Sequence, residues 1–173
     1  MISISVCMIV KNEETILRRC LDSLRDIADE IILVDTGSTD RTKEIAAEYT
    51  DRIFDFPWVD DFSKARNFAF SKATKEYIYT ADADEVLDEE NRKKFLDLKK
   101  VLLPEIEIVQ MYYCNQLENN TIYSFDKEYR PKLYKRLREF IWREKIHEAV
   151  TLSPIVYDSD IEIIHKPHGN HGG

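Results

Sequence analysis

The run Glu30-Ile31-Ile32-Leu33-Val34-Asp35-Thr36-Gly37-Ser38-Thr39-Asp40 decides the architecture of this chain. Its first part is continuously apolar between two acids, as in a central parallel strand covered on both faces. Its second part turns the chain. Gly37 supplies a free backbone angle, and Ser38 or Thr39 offers a side-chain cap to a following helix. As a strand-to-helix turn the segment is structural, with Asp40 serving that turn. Asp35 is at the same time placed to accept hydrogen bonds from a base or a ribose.

The same unit recurs on both sides. Residues 2–10 read as a strand, and Asn12 as the cap of a helix whose buried stripe is Leu17, Cys20, Leu21, Leu24, Ile27 and Ala28. After the helix capped by Ser38 or Thr39, with Ile45, Ala46 and Tyr49 buried, come a strand at 52–56, a helix at 63–73 and a strand at 76–81. Strands alternating with amphipathic helices imply right-handed βαβ units. Asp88 caps a further helix carrying Phe95, Leu96 and Leu98, ended by Pro104. From 105 the pattern changes to strands at 105–114, 121–125, 132–135, 146–152 and 161–165, with a hairpin turn at Asn119-Asn120. The expected fold is α/β: a mixed, mostly parallel sheet flanked by helices, with a β-rich C-terminal half. One domain covers 1–173, divided into 1–100, 101–165 and an irregular tail at 166–173.

Composition narrows the function. The 173 residues are 43% apolar and 34% charged, with a net charge of −8, the make-up of a soluble domain with a real core. An acidic surface does not replace the counterions of a phosphate backbone, so nucleic acid is excluded as a sequence-independent partner. Lys132, Lys135, Arg136, Arg138, Arg143 and Lys145 form a local basic exception. Cys7, Cys20 and Cys114 are odd in number and set among apolar residues, as reduced core thiols are. No apolar run approaches the ~20 residues needed to span a bilayer, and the chain opens on a strand pattern. The expectation is a cytoplasmic protein, a reading compatible with peripheral membrane contact. Gly37 is the one glycine before the tail, so a Walker loop or a GxGxxG turn is excluded.

In open α/β sheets ligands gather at the carboxyl ends of strands. Three expected strand ends are polar there: Lys11-Asn12-Glu13, Asp35 to Ser38, and Asp82-Ala83-Asp84-Glu85. Asp82 and Asp84 flank a small residue, so both carboxylates can approach one site, and hard oxygen donors favour Mn²⁺ or Mg²⁺. The competing reading is an acidic loop that complements the dipole of the next helix. Without a glycine cradle, any phosphate this chain holds must be held by another device. Trp58 and Trp142 either stack on a ligand or fill the core; Trp58, beside Pro57, reads as packing.

Four blocks together resemble family 2 glycosyltransferases of the GT-A fold. They are Met8-Ile9-Val10-Lys11-Asn12-Glu13-Glu14, Asp29 to Asp40, Asp60-Asp61-Phe62-Ser63-Lys64-Ala65-Arg66-Asn67, and Tyr77-Ile78-Tyr79-Thr80-Ala81-Asp82-Ala83-Asp84-Glu85. The resemblance implies a Rossmann-like fold and metal-dependent transfer from a nucleotide diphosphate-sugar, most often UDP-linked. It implies donor contacts by Val10 and its neighbours Asn12 and Glu13, by Asp35 on the uridine, and by Arg66 on base or diphosphate. Asp84 becomes the metal ligand, with Asp82 assisting. Thr36 stands where many members carry a second acid, so a base contact made by that acid is missing here.

Arg130-Pro131-Lys132-Leu133-Tyr134-Lys135-Arg136, then Ile146-His147-Glu148 and Ile164-His165, resemble a subgroup that includes bacterial peptide and lipopolysaccharide-core glycosyltransferases. On that resemblance 1–100 binds the nucleotide-sugar and 101–165 faces a glycan, lipid-linked or peptide acceptor. Glu148 is then the general base of an inverting displacement, with His147 the competing candidate and an ion pair to Arg143 or Lys145 the structural alternative. His165 is either structural or a third metal ligand or diphosphate contact. A nucleotidyltransferase shares such a sheet but needs a Gly-rich loop. A non-catalytic nucleotide- or carbohydrate-binding module of the same fold is the other alternative. Nothing in the sequence signals donor sugar or oligomeric state.

Overall fold

The computed structural model describes residues 1–58, 60–115, 128–136 and 154–166. The elements are β1 (Ile4–Val10), α1 (Leu17–Leu24), β2 (Glu30–Asp35), α2 (Thr42–Ala46), β3 (Ile53–Asp55), α3 (Phe62–Lys72), β4 (Tyr77–Ala81), β5 (Glu85–Val86), α4 (Glu89–Val101), β6 (Ile108–Asn115), β7 (Glu128–Lys135) and β8 (Val156–His165). The hairpin turn expected at Asn119-Asn120 and the strands expected at 121–125 and 146–152 lie outside the described residues.

β1 lies between β2 and β4, all parallel, with Val10 opposite Asp35 and Met8 opposite Ala81. β3 continues the parallel set, Asp55 opposite Asp35. The three polar strand ends therefore reach one edge, as the alternation of elements predicts. Beyond β4 the order runs β7, β6, β8, β5. β7 is antiparallel to β4 and β6, β6 is parallel to β8, and β5 is antiparallel to β8. This is the mixed, mostly parallel sheet with a β-rich second half.

β5 makes the sheet curl. It follows β4 across residues 82–84, yet stands four strand steps from it in the hydrogen-bonded order. In a flat sheet four steps span about 19 Å, whereas the four Cα–Cα links from Ala81 to Glu85 reach at most about 14 Å. The second half must bend round to bring β8 against β5. Register shifts in β6, at Val109/Gln110 against β7 and at Gln110/Tyr112 against β8, supply local bends.

Leu17, Cys20, Leu21 and Leu24 of α1 and Phe95 and Leu98 of α4 cover one face of the sheet. Tyr79 and Phe95 meet edge to face at 5.2 Å, worth about 1 kcal/mol beyond the area they bury. Ala69 of α3 packs with Cys7, Ile32, Val34 and Ile78 on the other face.

Some helix boundaries differ from expectation. Asn12 has a left-handed φ of 54° and caps nothing; α1 starts at Leu17, after a turn held by the Glu13 carbonyl, which accepts from the Ile16 and Leu17 amides. Ile27 and Ala28 follow the helix, and Ile27 is buried all the same. Neither Ser38 nor Thr39 caps α2, because both serve Asn12 instead. Asp61 caps α3 and Asp88 caps α4, each through its side chain.

Candidate active site

Asp35 ends β2 and is 2% exposed. Its Oδ1 accepts the amides of Gly37 (2.9 Å) and Ser38 (2.7 Å), which locks the turn in which Gly37 holds φ +122°. Its Oδ2 is buried and has no hydrogen-bond partner among the described residues. A buried carboxylate oxygen left unpaired is costly, so an incoming donor group finds an acceptor ready.

The neighbouring turns are laced together. Asn12 donates its amide to Ser38 Oγ (2.9 Å) and accepts the Thr39 amide on Oδ1 (2.7 Å). The Glu13 amide donates to Thr42 Oγ1 (2.8 Å), and the Arg41 amide to Glu14 Oε1 (3.0 Å). Val10 closes β1 with its side chain in the core, and its carbonyl accepts the Thr36 amide at 3.0 Å. Thr36 is thus a buried structural residue at the position where the resemblance leads one to look for a second acid.

The acidic run resolves into distinct roles. Asp82 is exposed; its carbonyl accepts the Glu85 amide (3.0 Å) and the Cys20 thiol (3.5 Å). Asp84 is partly exposed, and its Oδ2 lies 2.8 Å from His165 Nε2. His165 Nδ1 lies 3.0 Å from Asn115 Oδ1, and the imidazole packs 5.2 Å from the Tyr113 ring. Glu85 is buried and grips Lys132 Nζ through both carboxylate oxygens, at 2.7 and 3.0 Å. Burial pushes the Glu85 carboxyl up, and Lys132 works against that rise.

A cleft of about 200 Å³ opens beside this run, walled by Arg66, Thr80, Asp82, Glu85, Arg130 to Lys132 and Tyr134. Arg66 reaches it from α3, its guanidinium 4.9 Å over the Phe62 ring. Burial pushes the Tyr134 phenol up to about 12, with Arg66 opposing, so this wall is a neutral hydroxyl. Trp58 is 46% exposed and donates Nε1–H to Asp60 Oδ1 at 2.8 Å. The expected packing role does not hold for it, since nearly half of the residue is open to solvent.

The sequence profile described as Glycosyl transferase family 2 matches residues 5–162, across both halves of the sheet. The chain belongs to glycosyl transferase family 2. Among curated family relatives, the SPbeta prophage-derived glycosyltransferase SunS of Bacillus subtilis is 38% identical over 165 residues, covering 92% of this chain and 36% of SunS. An uncharacterized glycosyltransferase of Rickettsia typhi is 28% identical over 94% of this chain and 56% of its own length. A TPR repeat-containing protein of Synechococcus elongatus is 49% identical over 50% of this chain and 22% of its own. The chain thus spans from about a fifth to just over half of these relatives. The GT-A fold is shared with solved structures. TarS of S. aureus superposes with a TM-score of 0.66 at 15% identity, over 96% of this chain and 61% of that one. Glucosyl-3-phosphoglycerate synthase of Mycobacterium tuberculosis, solved with Mn²⁺ and UDP-glucose, gives 0.52 at 22% identity over 65% and 44%.

Of the residues singled out in the sequence, Asp84 and His165 meet at the β4–β5 turn, Asp82 and Arg66 share the cleft beside it, and Asp35 ends β2, two strands from β4 on the same sheet edge. His147 and Glu148 lie outside the described residues, as does Trp142. Sequence reading passed over Asn115 and the Glu85–Lys132 pair. Their partners lie 50 and 47 residues away, so no local pattern marks them.

Proposed function

We infer that this chain carries the donor site of an enzyme that moves a sugar from a nucleotide diphosphate-sugar, UDP-linked, to an acceptor hydroxyl or other nucleophile. The transfer uses a divalent ion and inverts the anomeric centre. The observation that carries this reading is the meeting of Asp84 and His165 at the β4–β5 turn, whose flanking residues Asp82 and Glu85 share a cleft with Arg66. Fold neighbours solved with UDP-GlcNAc, and with Mn²⁺ and UDP-glucose, support the donor class and the ion.

The donor set fits such an ion. A carboxylate oxygen and an imidazole nitrogen stand 2.8 Å apart and partly exposed. Carboxylates suit Mg²⁺ and Mn²⁺, and the imidazole tips the choice toward Mn²⁺. Among the described residues no group of three or more His, Cys, Asp or Glu gathers for a metal. Diphosphate oxygens would complete the shell, with Asp82 assisting. When bound, the ion supplies Lewis acidity for the departing nucleotide.

The chain's own groups do the rest. Asp35 Oδ2 offers a nucleoside N–H or hydroxyl a buried acceptor, and Val10, Asn12 and Glu13 shape the adjoining corner. Arg66 adds a guanidinium for charge that develops on the leaving diphosphate. Glu148, with His147 competing, takes the acceptor proton while attack proceeds from the face opposite the nucleotide.

Thermal-shift measurements with UDP-, GDP- and dTDP-sugars, with and without Mn²⁺, test the reading. Mn²⁺-dependent stabilisation by a UDP-sugar is expected. No stabilisation by any of them sinks it, and binding without release of UDP in the presence of acceptors favours the non-catalytic module. The anomeric configuration of the product, read by NMR, tests inversion.

A further inference from the structure

Glu85 and Lys132 form a buried ion pair, their side chains 4% and 7% exposed, inside the curl of the sheet. Glu85 is held from three sides. Its backbone pairs with β8 opposite His165, its amide donates to the Asp82 carbonyl at 3.0 Å, and its carboxylate takes Lys132 Nζ at 2.7 and 3.0 Å. Lys132 is fixed in turn by β7, where its carbonyl accepts from Thr80 Oγ1 at 3.4 Å, and its ammonium stands 5.3 Å from the Tyr79 ring. The pair is therefore an internal strut from β7 to the strand that begins directly after Asp84.

Stability alone does not account for it. Two charges taken out of water gain little over an apolar pair of equal volume. A two-pronged carboxylate–ammonium contact does admit a far narrower range of positions than an apolar contact. We propose that Lys132, acting through Glu85, is a positioning residue for the ion seat: the strut fixes residues 82–84 so that Asp84 meets His165. This inference rests on the reading of Asp84 and His165 as that seat. Lys132 touches neither ligand; it acts at one remove, as outer-shell groups do.

The test is Mn²⁺ binding by the full chain in the presence of UDP, followed by the electron paramagnetic resonance of free Mn²⁺. Glu85→Asp keeps the charge and withdraws the carboxylate by one methylene. It is expected to weaken Mn²⁺ binding about tenfold, more than any change in UDP affinity measured without the ion, while the melting temperature stays near the parent's. The doubly neutral Glu85→Gln/Lys132→Met chain is expected to remain folded and to show the same loss. Parental Mn²⁺ affinity in either folded variant overturns the proposal. So does a loss that merely tracks a fall in melting temperature or in ion-free UDP affinity, and so does a Glu85→Asp chain that fails to fold, since each marks a purely structural pair. A parent that takes up no Mn²⁺ refutes the seat itself, and this inference with it.

Discussion

His165 Nε2 lies 2.8 Å from Asp84 Oδ2, joining the last described strand to a turn 81 residues earlier. Asn115 stands behind the ring, its Oδ1 3.0 Å from Nδ1. A proton on Nδ1, donated to Asn115, would leave the Nε2 lone pair for the proposed ion. Asp84→Asn and His165→Ala should each cut Mn²⁺-dependent UDP binding at least about tenfold, with folding intact by circular dichroism. Calorimetric titrations matching the parent's would remove the two residues from the seat.

Asp35→Asn separates the two oxygens of that side chain. Oδ1 can still take the Gly37 and Ser38 amides, while the unpartnered Oδ2 becomes a donor. UDP affinity should fall by about 1.4 kcal/mol or more, roughly tenfold, with little change in melting temperature. An unaltered affinity means that the nucleoside does not use Oδ2.

Arg66→Ala removes the guanidinium that α3 brings to the cleft and leaves the α3 cap at Asp61 in place. Loss of a charge-assisted contact costs about 2 kcal/mol, roughly thirtyfold in donor affinity. Michaelis constants for the donor should rise while those for the acceptor hold. The reverse pattern would place Arg66 on the acceptor side.

Glu30 sits at the opposite end of β2, accepting from Ser5 Oγ (2.7 Å) and the Thr74 amide (2.9 Å), with Arg52 at 3.3 Å. Burial pushes its carboxyl up, but these donors and the Arg52 charge outweigh it and hold the group below its usual range. A depressed folded-state pKa gives stability that is complete above the unfolded value and lost as pH falls through the folded one. Glu30→Gln should therefore destabilise by about 2 kcal/mol at neutral pH, and the gap should close on acidification. Melting curves that stay equally far apart at every pH would show that no such linkage exists.

Cys7, Cys20 and Cys114 are free and buried, and burial pushes the Cys7 and Cys20 thiols up. Iodoacetamide at neutral pH should leave the native chain unmodified for as long as the denatured chain takes three adducts, a difference visible by intact mass. Rapid labelling of the native chain would contradict the packing around α1, β1 or β6.

The α/β half was legible because its signals are local. The run from Glu30 to Asp35 is a strand over that same span, since nothing but a doubly covered strand suits an apolar run between two acids. Asn12 misled because a polar residue ahead of an apolar stripe looks like a cap, whereas its side chain is committed to Thr39 across the sheet edge. β5 could not be read: two residues are a strand only because β8 arrives to pair with them. Glu85 reads as part of an acidic strand end and Lys132 as part of a basic stretch; their meeting as a buried pair depends on the same long-range approach.

The curl of the sheet has a consequence for how the two halves communicate. Residues 82–84 act as the clasp of a bracelet whose links are β4, β7, β6, β8 and β5. A displacement of any link changes the distance that the clasp has to span. A chain ended ahead of β8 would keep Asp35 and its corner but leave the clasp undone. Nucleotide recognition should then outlive ion capture, and changes on the acceptor side should retune the donor seat without touching it.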